Sequence, residues 1–265
     1  MIDIHHHIIY GLDDGPADTE TMQQMLKAAA REGVRTIIAT PHIAPGIEHF
    51  PMSTYYNRLL EAQDLCDALA LNLRVLAGAE IRYTHQTALY LAEGRVPTLA
   101  GTNKVLLEFQ GNVRFEAIED AVQTVLRNSL VPILAHIERY PRFVSHIRFT
   151  EALKENYEVY YQINAESILK SPGGRTGRAI RQLLQRGMID FVASDSHDCD
   201  KRRCRMAETY EKLAATVGRN YADKLTGNRM SAEAFLGPVD EQAISNCVRV
   251  YRQKSQLRDD ARNIR

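Results

Sequence analysis

The 265-residue chain has no surplus of charge: 33 Lys and Arg stand against 33 Asp and Glu. A protein built mainly to coat nucleic acid needs a basic excess to neutralise phosphates, so that class is excluded, although a local basic patch is not. No apolar run approaches the roughly 18–20 residues needed to cross a bilayer, so no membrane insertion is expected. The chain opens on Met1-Ile2-Asp3-Ile4-His5 rather than on basic residues leading into an apolar stretch, so no secretory leader is expected. Cysteine is scarce: Cys66, Cys199, Cys204 and Cys247 show no CxxC spacing. A chain of this size needs no disulfide staples, and a reducing cytoplasm is the expected compartment. What remains is ordinary for a globular protein, with 45% apolar and 25% charged residues. The length suits one barrel-sized core or two smaller ones.

Short β-branched runs alternate with segments of helical period. The expected strands are Ile2–His6, Val34–Thr40, Leu73–Glu80, Lys104–Phe109, Val131–His136, Val159–Asn164 and Ile189–Ser194. Most are near-continuous apolar runs, as parallel strands buried on both faces require. Helices are expected over Asp18–Glu32, with an Asp/Thr N-cap and Gly33 as its stop, from Ser53, and over Thr87–Glu93, Phe115–Asn128, Phe149–Asn156 and Arg175–Arg186. Seven β/α units in this length predict a closed or nearly closed barrel, with a doubly wound open sheet as its rival. One domain over residues 1–237 is expected. A basic tail over 238–265, helical or frayed, follows it; from Arg249 onward six basic residues meet only Asp259 and Asp260.

The metal-type residues fall at strand ends. His5 and His7 flank the end of the first strand, His42 follows the second, Glu80 ends the third and Glu108 lies near the end of the fourth. His136 ends the fifth, and Asp195 and His197 follow the seventh. In a parallel β/α barrel these positions share the C-terminal rim, where active sites lie. Carboxylates crowded there repel one another unless cations intervene. In His5-x-His7 both side chains leave one face of a strand and can reach one cation. Mixed imidazole and carboxylate donors suit Zn, Mn or Fe better than Ca or Mg. Glu108, inside Leu106-Leu107-Glu108-Phe109, needs a charge partner if buried. His6 is expected on the opposite face, and His49, His85 and His146 on the surface.

Several motifs occur in register: Met1-Ile2-Asp3-Ile4-His5-His6-His7-Ile8 continuing to Gly11-Leu12-Asp13-Asp14-Gly15, Thr40-Pro41-His42, Gly78-Ala79-Glu80-Ile81-Arg82, Leu106-Leu107-Glu108-Phe109, Ala135-His136-Ile137-Glu138-Arg139-Tyr140 and Ser194-Asp195-Ser196-His197. Together they resemble the PHP (polymerase and histidinol phosphatase) domain, and more narrowly the bacterial manganese-dependent protein-tyrosine phosphatases of capsule and exopolysaccharide loci. The resemblance implies a distorted α/β barrel of seven β/α units. It implies three divalent ions, Mn first, with Fe or Zn possible. His5, His7, Glu80 and Asp195 match one site. Glu80, Glu108 and His136 match a second, with Glu80 bridging. Asp14, His42 and His197 match the third.

The matches to Arg139 and Arg202 imply phosphate-binding arginines, and His42 or His197 would assist the leaving group. The implied reaction is hydrolysis of phosphotyrosine by a metal-activated hydroxide without a covalent phosphoenzyme, on the tyrosine-rich tail of an exopolysaccharide autokinase. Alternatives are a small-molecule phosphatase such as one for histidinol phosphate, a phosphodiesterase or exonuclease, and a binding module without turnover. His6, Ile43, Ile137 and the loop 44–50 depart from the family pattern without removing a ligand. Cys199 to Arg205 has the C-x5-R spacing of cysteine-dependent phosphatases, but it lacks glycine for a loop wrapped around phosphate.

Overall fold

A computed structural model describes residues 1–170 and 173–239. Strands and helices alternate from the start: β1 (Ile2–His6), α1 (Thr19–Arg31), β2 (Thr36–Ala39), β3 (His42–Ile43), α2 (Met52–Ala68), β4 (Arg74–Ala77), β5 (Glu80–Arg82) and α3 (Thr87–Ala92). They continue through β6 (Lys104–Glu108), α4 (Phe115–Arg127), β7 (Val131–Leu134), α5 (Pro141–Ser145), α6 (Ile147–Asn156), β8 (Tyr160–Asn164) and α7 (Ala165–Lys170). The series ends in α8 (Gly174–Gln185), β9 (Phe191–Ala193), α9 (Met206–Val217), α10 (Arg219–Thr226) and α11 (Ala232–Leu236). The expected basic tail lies, from residue 240 on, outside the described residues.

The helices form where local chemistry specifies them. Asp18 caps α1 by accepting the Thr21 N–H at 2.8 Å, and Gly33 ends the turn in the left-handed region at φ 76°. α4 buries Ile118, Ala121, Val122 and Val125, the i, i+3, i+4, i+7 stripe of an amphipathic helix.

Every strand pairs in parallel, in the orders β1-β2-β4 and β3-β5-β6-β7-β8-β9. These are two stretches of one curled surface. β2 runs through Thr40-Pro41 into β3, and β4 runs through Gly78-Ala79 into β5. The predicted strand Leu73–Glu80 is therefore split, and the short strand His42–Ile43 was not expected from the sequence. Pro41 has no N–H to continue a ladder. A Cβ on Gly78 would lie 2.6 Å from Ile38, so only glycine lets the two walls approach at this break. The buried Tyr55 hydroxyl seals it, accepting the Gly78 N–H at 2.9 Å and donating toward the Ala39 carbonyl at 3.0 Å. At the other edge the Asp195 N–H donates to the His5 carbonyl at 2.9 Å, and the His7 N–H to the Ser196 carbonyl at 3.0 Å. The end of β9 is thus tied back to β1. The turn Leu99–Gly101 packs between β4 and β6, which makes the barrel irregular. The architecture is a curled parallel sheet forming a distorted barrel of β/α units, as the resemblance implies, rather than a doubly wound open sheet.

Ile2, Ile4, Ile38, Leu106, Ile133 and Phe191 form one apolar cluster from several walls and fill the barrel. A larger cluster lies between sheet and helices. β1 then changes face. Its residues pair Ile2 with Thr36 and Asp3 with Ile37, but His6 with Ala39, so β1 carries one extra residue. Such a bulge re-aims the side chains that follow it. Ile2 and Ile4 face the apolar interior, and after the bulge His5 and His7 face it too. Asp3 Oδ1 holds this kink by accepting the N–H groups of His5 at 3.4 Å and Ser194 at 3.0 Å.

Candidate metal centre

Just past the bulge, His5 Nε2 and His7 Nε2 lie 3.2 Å apart. Glu80 Oε2 is 3.1 Å and 3.2 Å from them, and Asp195 Oδ1 is 3.4 Å and 3.5 Å away. All four residues are buried. A second group joins His7, Asp14, His42 and His197. His197 Nε2 and His42 Nε2 lie 3.1 Å and 3.5 Å from Asp14 Oδ1. A third group is His42, Glu80 and Glu108, with His42 Nδ1 at 3.0 Å from Glu80 and 3.3 Å from Glu108.

The set expected from Glu80, Glu108 and His136 comes together differently. His42, not His136, shares the group with both carboxylates, because β3 pairs with β5 and puts His42 opposite Glu80. His136 Nε2 lies 2.7 Å from the other Glu80 oxygen, Oε1, and its Nδ1 lies 3.4 Å from the Tyr140 hydroxyl. His49, His85 and His146 are exposed, as expected, and His6 is fully buried.

The donors fit divalent cations. Glu80 Oε2, His42 Nδ1 and His197 Nε2 are buried and make no hydrogen bond, although charged or polar groups crowd them. Buried polar atoms are otherwise almost always paired. Lone pairs converging without hydrogen-bonding geometry are the donor set an ion requires, and imidazole with carboxylate suits Mn, Fe or Zn. Two of the residues are also strained: His136 and Asp195 sit at φ 30° and 52°. Non-glycine residues there cost about 1–3 kcal/mol each and persist where their surroundings over-determine them, as at functional sites. Here the Gln162 oxygen accepts the His136 N–H at 2.6 Å, and the Asp195 N–H is held by β1.

Sequence reasoning missed the supporting residues. Asp13 Oδ2 accepts from His7 Nδ1 at 2.7 Å and from the His42 N–H at 3.1 Å. A carboxylate behind a ligand imidazole fixes its tautomer. The doubled acid Asp13-Asp14 was the available signal. Gln162 and Asn164, polar residues two apart in an apolar strand, were another. Arg82 also joins the rim, its Nε 3.1 Å from Glu108. This is the charge partner that Glu108 needed, together with His42.

Both expected arginines reach the cluster. Arg139 Nη2 donates to Asp195 Oδ2 at 2.5 Å. Arg202 donates to Asp14 Oδ2 at 2.9 Å and to Asp195 Oδ1 at 3.2 Å. Both guanidiniums are partly exposed at the mouth, 47% for Arg139 and 36% for Arg202.

The electrostatics follow from the crowding. Burial works against the His5 imidazolium, but Glu80 and Asp195 outweigh it and raise its pKa. Burial likewise opposes protonation of His7, yet Asp13, Asp195 and Glu80 hold its pKa well above the ordinary value. His42 is pushed up to about 10, against burial, by Glu108 and Glu80. Burial would raise the carboxyls of Glu80 and Asp195, but the surrounding imidazoles keep both well below the usual range. His197 falls to about 4 through burial and the neighbouring His7 charge. His6 falls to about 3 through burial and the charges on His7 and His197.

The C-x5-R segment does not form a thiolate site. Burial and Asp198 push the Cys199 thiol up, whereas a nucleophilic cysteine needs it lowered. Arg205 is turned away onto Glu208 at 2.7 Å.

Residues 1–232 match the family described as capsular polysaccharide synthesis, CpsB/CapC. The chain belongs to this family. One relative, the tyrosine-protein phosphatase CpsB of Streptococcus agalactiae serotype V, is 32% identical over 232 residues, which cover 85% of this chain and 94% of that protein. The tyrosine-protein phosphatase YwqE of Bacillus subtilis is 29% identical over 244 residues, covering 86% and 89%. A solved structure from work on YwqE of Bacillus subtilis and CpsB of Streptococcus pneumoniae, described as metal-dependent tyrosine phosphatases, matches with a TM-score of 0.80 at 28% identity. It covers 89% of this chain and 95% of its own. Membership of the CpsB/CapC family agrees with the resemblance carried by the motifs. Among the described residues no helix is long and apolar enough to cross a membrane.

Proposed function

We propose that this chain is a metal-dependent protein-tyrosine phosphatase acting in capsule or exopolysaccharide synthesis. Its substrate would be the phosphotyrosine tail of a tyrosine autokinase in the cytoplasm, and residues 1–237 would form the phosphatase domain. The observation that carries the reading is the convergence of imidazoles and carboxylates, most of them buried, beneath two partly exposed guanidiniums. The names of the CpsB and YwqE relatives supply the substrate class.

In this reading three divalent ions, Mn first, would be held by His5, His7, Glu80 and Asp195; by Asp14, His42 and His197; and by Glu80 and Glu108 with His136. Bound there, the ions would lower the pKa of a water to about 7 and offset phosphoryl charge. Glu80 presents one oxygen to His5, His7 and His42 and the other to His136, which suits a bridging role. Arg139 and Arg202 orient the phosphoryl group, since each planar fork donates two hydrogen bonds to phosphate. Asp195 and Asp14 hold these forks at the mouth until substrate arrives. A phenolate leaves with a conjugate-acid pKa of about 10 and needs little proton donation, so His42 and His197 can serve as ligands.

The test is one purification assayed with chelator, then with Mn, Fe, Zn or Mg restored, on a phosphotyrosine peptide, histidinol phosphate and single-stranded DNA. The expected result is phosphotyrosine hydrolysis that chelation abolishes and Mn restores, unchanged in Cys199→Ser. Hydrolysis that survives chelation would overturn the metal reading. Preference for histidinol phosphate or DNA would overturn the substrate.

A further inference from the structure

Strand β8 lies behind the cluster and carries two buried amides toward it, Gln162 and Asn164. Neither is among the candidate ligands, yet between them they touch three of those residues. Gln162 Oε1 is 2.6 Å from the backbone nitrogen of His136 and 3.4 Å from His5 Nδ1. Gln162 Nε2 is 2.8 Å from Asn164 Oδ1. Asn164 Nδ2 is 2.7 Å from Asp195 Oδ2.

The direction of this chain is fixed from both ends. A backbone N–H can only donate, so the Gln162 atom facing His136 must be its oxygen. The Gln162 NH₂ then points at Asn164 and donates to its carbonyl. That leaves the Asn164 NH₂ facing Asp195, an ionised carboxylate that can only accept. The polarity demanded at the His136 end is the polarity demanded at the Asp195 end. Reversing either amide would break contacts at both of its own ends.

We propose that Gln162 and Asn164 are positioning residues that act as one strut, setting which atoms of His5 and Asp195 face the cations. This rests on the metal-centre reading above. An oxygen opposite His5 Nδ1 requires that nitrogen to carry the proton, which leaves the Nε2 lone pair for the cluster. At the far end, Asn164 and Arg139 together occupy Asp195 Oδ2, while Oδ1 faces His5 and His7 and accepts one bond from Arg202 at 3.2 Å. Glu138 anchors the strut by accepting the Asn164 N–H and the Ser167 hydroxyl, each at 2.9 Å. One amide ladder therefore coordinates a ligand on the first strand with a ligand that follows the last, across the seam where the barrel closes.

The test compares ion-free wild type, Gln162→Met, Gln162→Glu and Asn164→Asp, titrated calorimetrically with Mn and separately with Zn. Gln162→Met and Asn164→Asp should bind about 10–100-fold more weakly, the usual effect of losing a group behind a metal ligand. The Zn-loaded samples supply a readout that general destabilisation does not mimic. Wild type should show a hydrogen-bonded His5 Nδ1–H resonance, lost in Gln162→Met and retained in Gln162→Glu, which keeps the acceptor. Should Gln162→Met fail to fold, the near-isosteric Asn164→Asp carries the affinity arm and Gln162→Glu the spectroscopic one. Variants that bind as tightly as wild type with the His5 signal unchanged would overturn the strut while the metal centre stands. A wild type that binds neither ion would overturn the metal centre itself.

Discussion

Loading the ion-free protein with divalent cations should expel protons, and the cluster sets how many. Without ions, Glu80 and Asp195 are held ionised by the imidazoles around them. His5 and His7 have raised pKa values, and His42 is raised to about 10. His7 and His42 therefore carry their second proton at pH 7, and the shift of His5 favours its charged form. His197, near 4, and His6, near 3, carry no second proton. An ion takes the imidazole lone pair and displaces that proton. The expected release is at least about two protons per fully loaded chain at pH 7, one each from His7 and His42, with His5 adding to it to the extent that it is protonated. Overall affinity should then rise with pH by at least about 10²-fold per unit while these imidazoles remain protonated, and flatten once they have titrated. Calorimetric titration of Mn in non-chelating buffers of different ionisation enthalpy measures the release from the slope of observed heat against buffer heat. His42→Asn should remove about one proton from the count. Release of fewer than one proton at pH 7 would refute the reasoning, because the carboxylates would then not be holding protons on the ligand imidazoles.

Four further outcomes are expected. Arg139→Ala should retain its metal content while turnover on a phosphotyrosine peptide falls about 10²–10³-fold, the usual effect of removing one donor to a developing charge; loss of metal with no change per bound ion would contradict it. Asp13→Asn should weaken Mn binding about 10–100-fold, read by titration of the ion-free protein, because His7 loses the carboxylate that orients it. Tyr55→Phe keeps the buried ring but strips the Gly78 N–H of its partner, so urea unfolding should show a loss of about 2 kcal/mol at an unchanged slope. Finally, the raised imidazoles stabilise the ion-free fold fully below their unfolded pKa of about 6.5, and that contribution is lost as pH rises through the folded values, near 10 for His42. Thermal unfolding of ion-free protein should therefore weaken between pH 7 and 10, and the Mn-loaded protein should weaken less.

Much of the fold was legible because it rests on local chemistry. β1 spans the predicted Ile2–His6, and Asp18 and Gly33 bound α1 as expected. The site was legible because parallel strands deliver their ends to one rim, so imidazoles and carboxylates at those ends had to meet. What escaped was set by tertiary packing. The breaks between β2 and β3, and between β4 and β5, depend on Gly78 passing Ile38 and on Tyr55 reaching across from a helix. No hydrophobic period records either contact. The place of His42 beside Glu108 has the same origin, since only the pairing of β3 with β5 brings His42 opposite Glu80. The bulge in β1 was invisible for another reason. His5 and His7 are two apart whether or not the strand is regular, so their spacing could not reveal that an extra residue turns them from the side of Asp3 to the side of Ile4.

That bulge explains how one strand serves two incompatible environments. An unbroken β1 that buried Ile2 and Ile4 in the barrel would have to turn His5 and His7 out of it. Inserting one residue resolves the conflict, and Asp3 stabilises the insertion through two backbone N–H groups, one of them from the strand that closes the barrel. The rest of the site continues the same economy. His136 and Asp195 leave their strands in the left-handed region, which ends the ladder and turns each side chain toward Glu80 or the first-strand histidines. Protons on His7 and His42 balance the carboxylates when no ion is bound, and in the proposed metal centre arriving ions would replace them. The overall charge of zero therefore conceals an exchangeable positive charge at one rim, with Arg139 and Arg202 directly above it. An anion approaching the mouth meets cationic groups in either state, but only the ion-loaded state supplies the charge density that phosphoryl transfer requires.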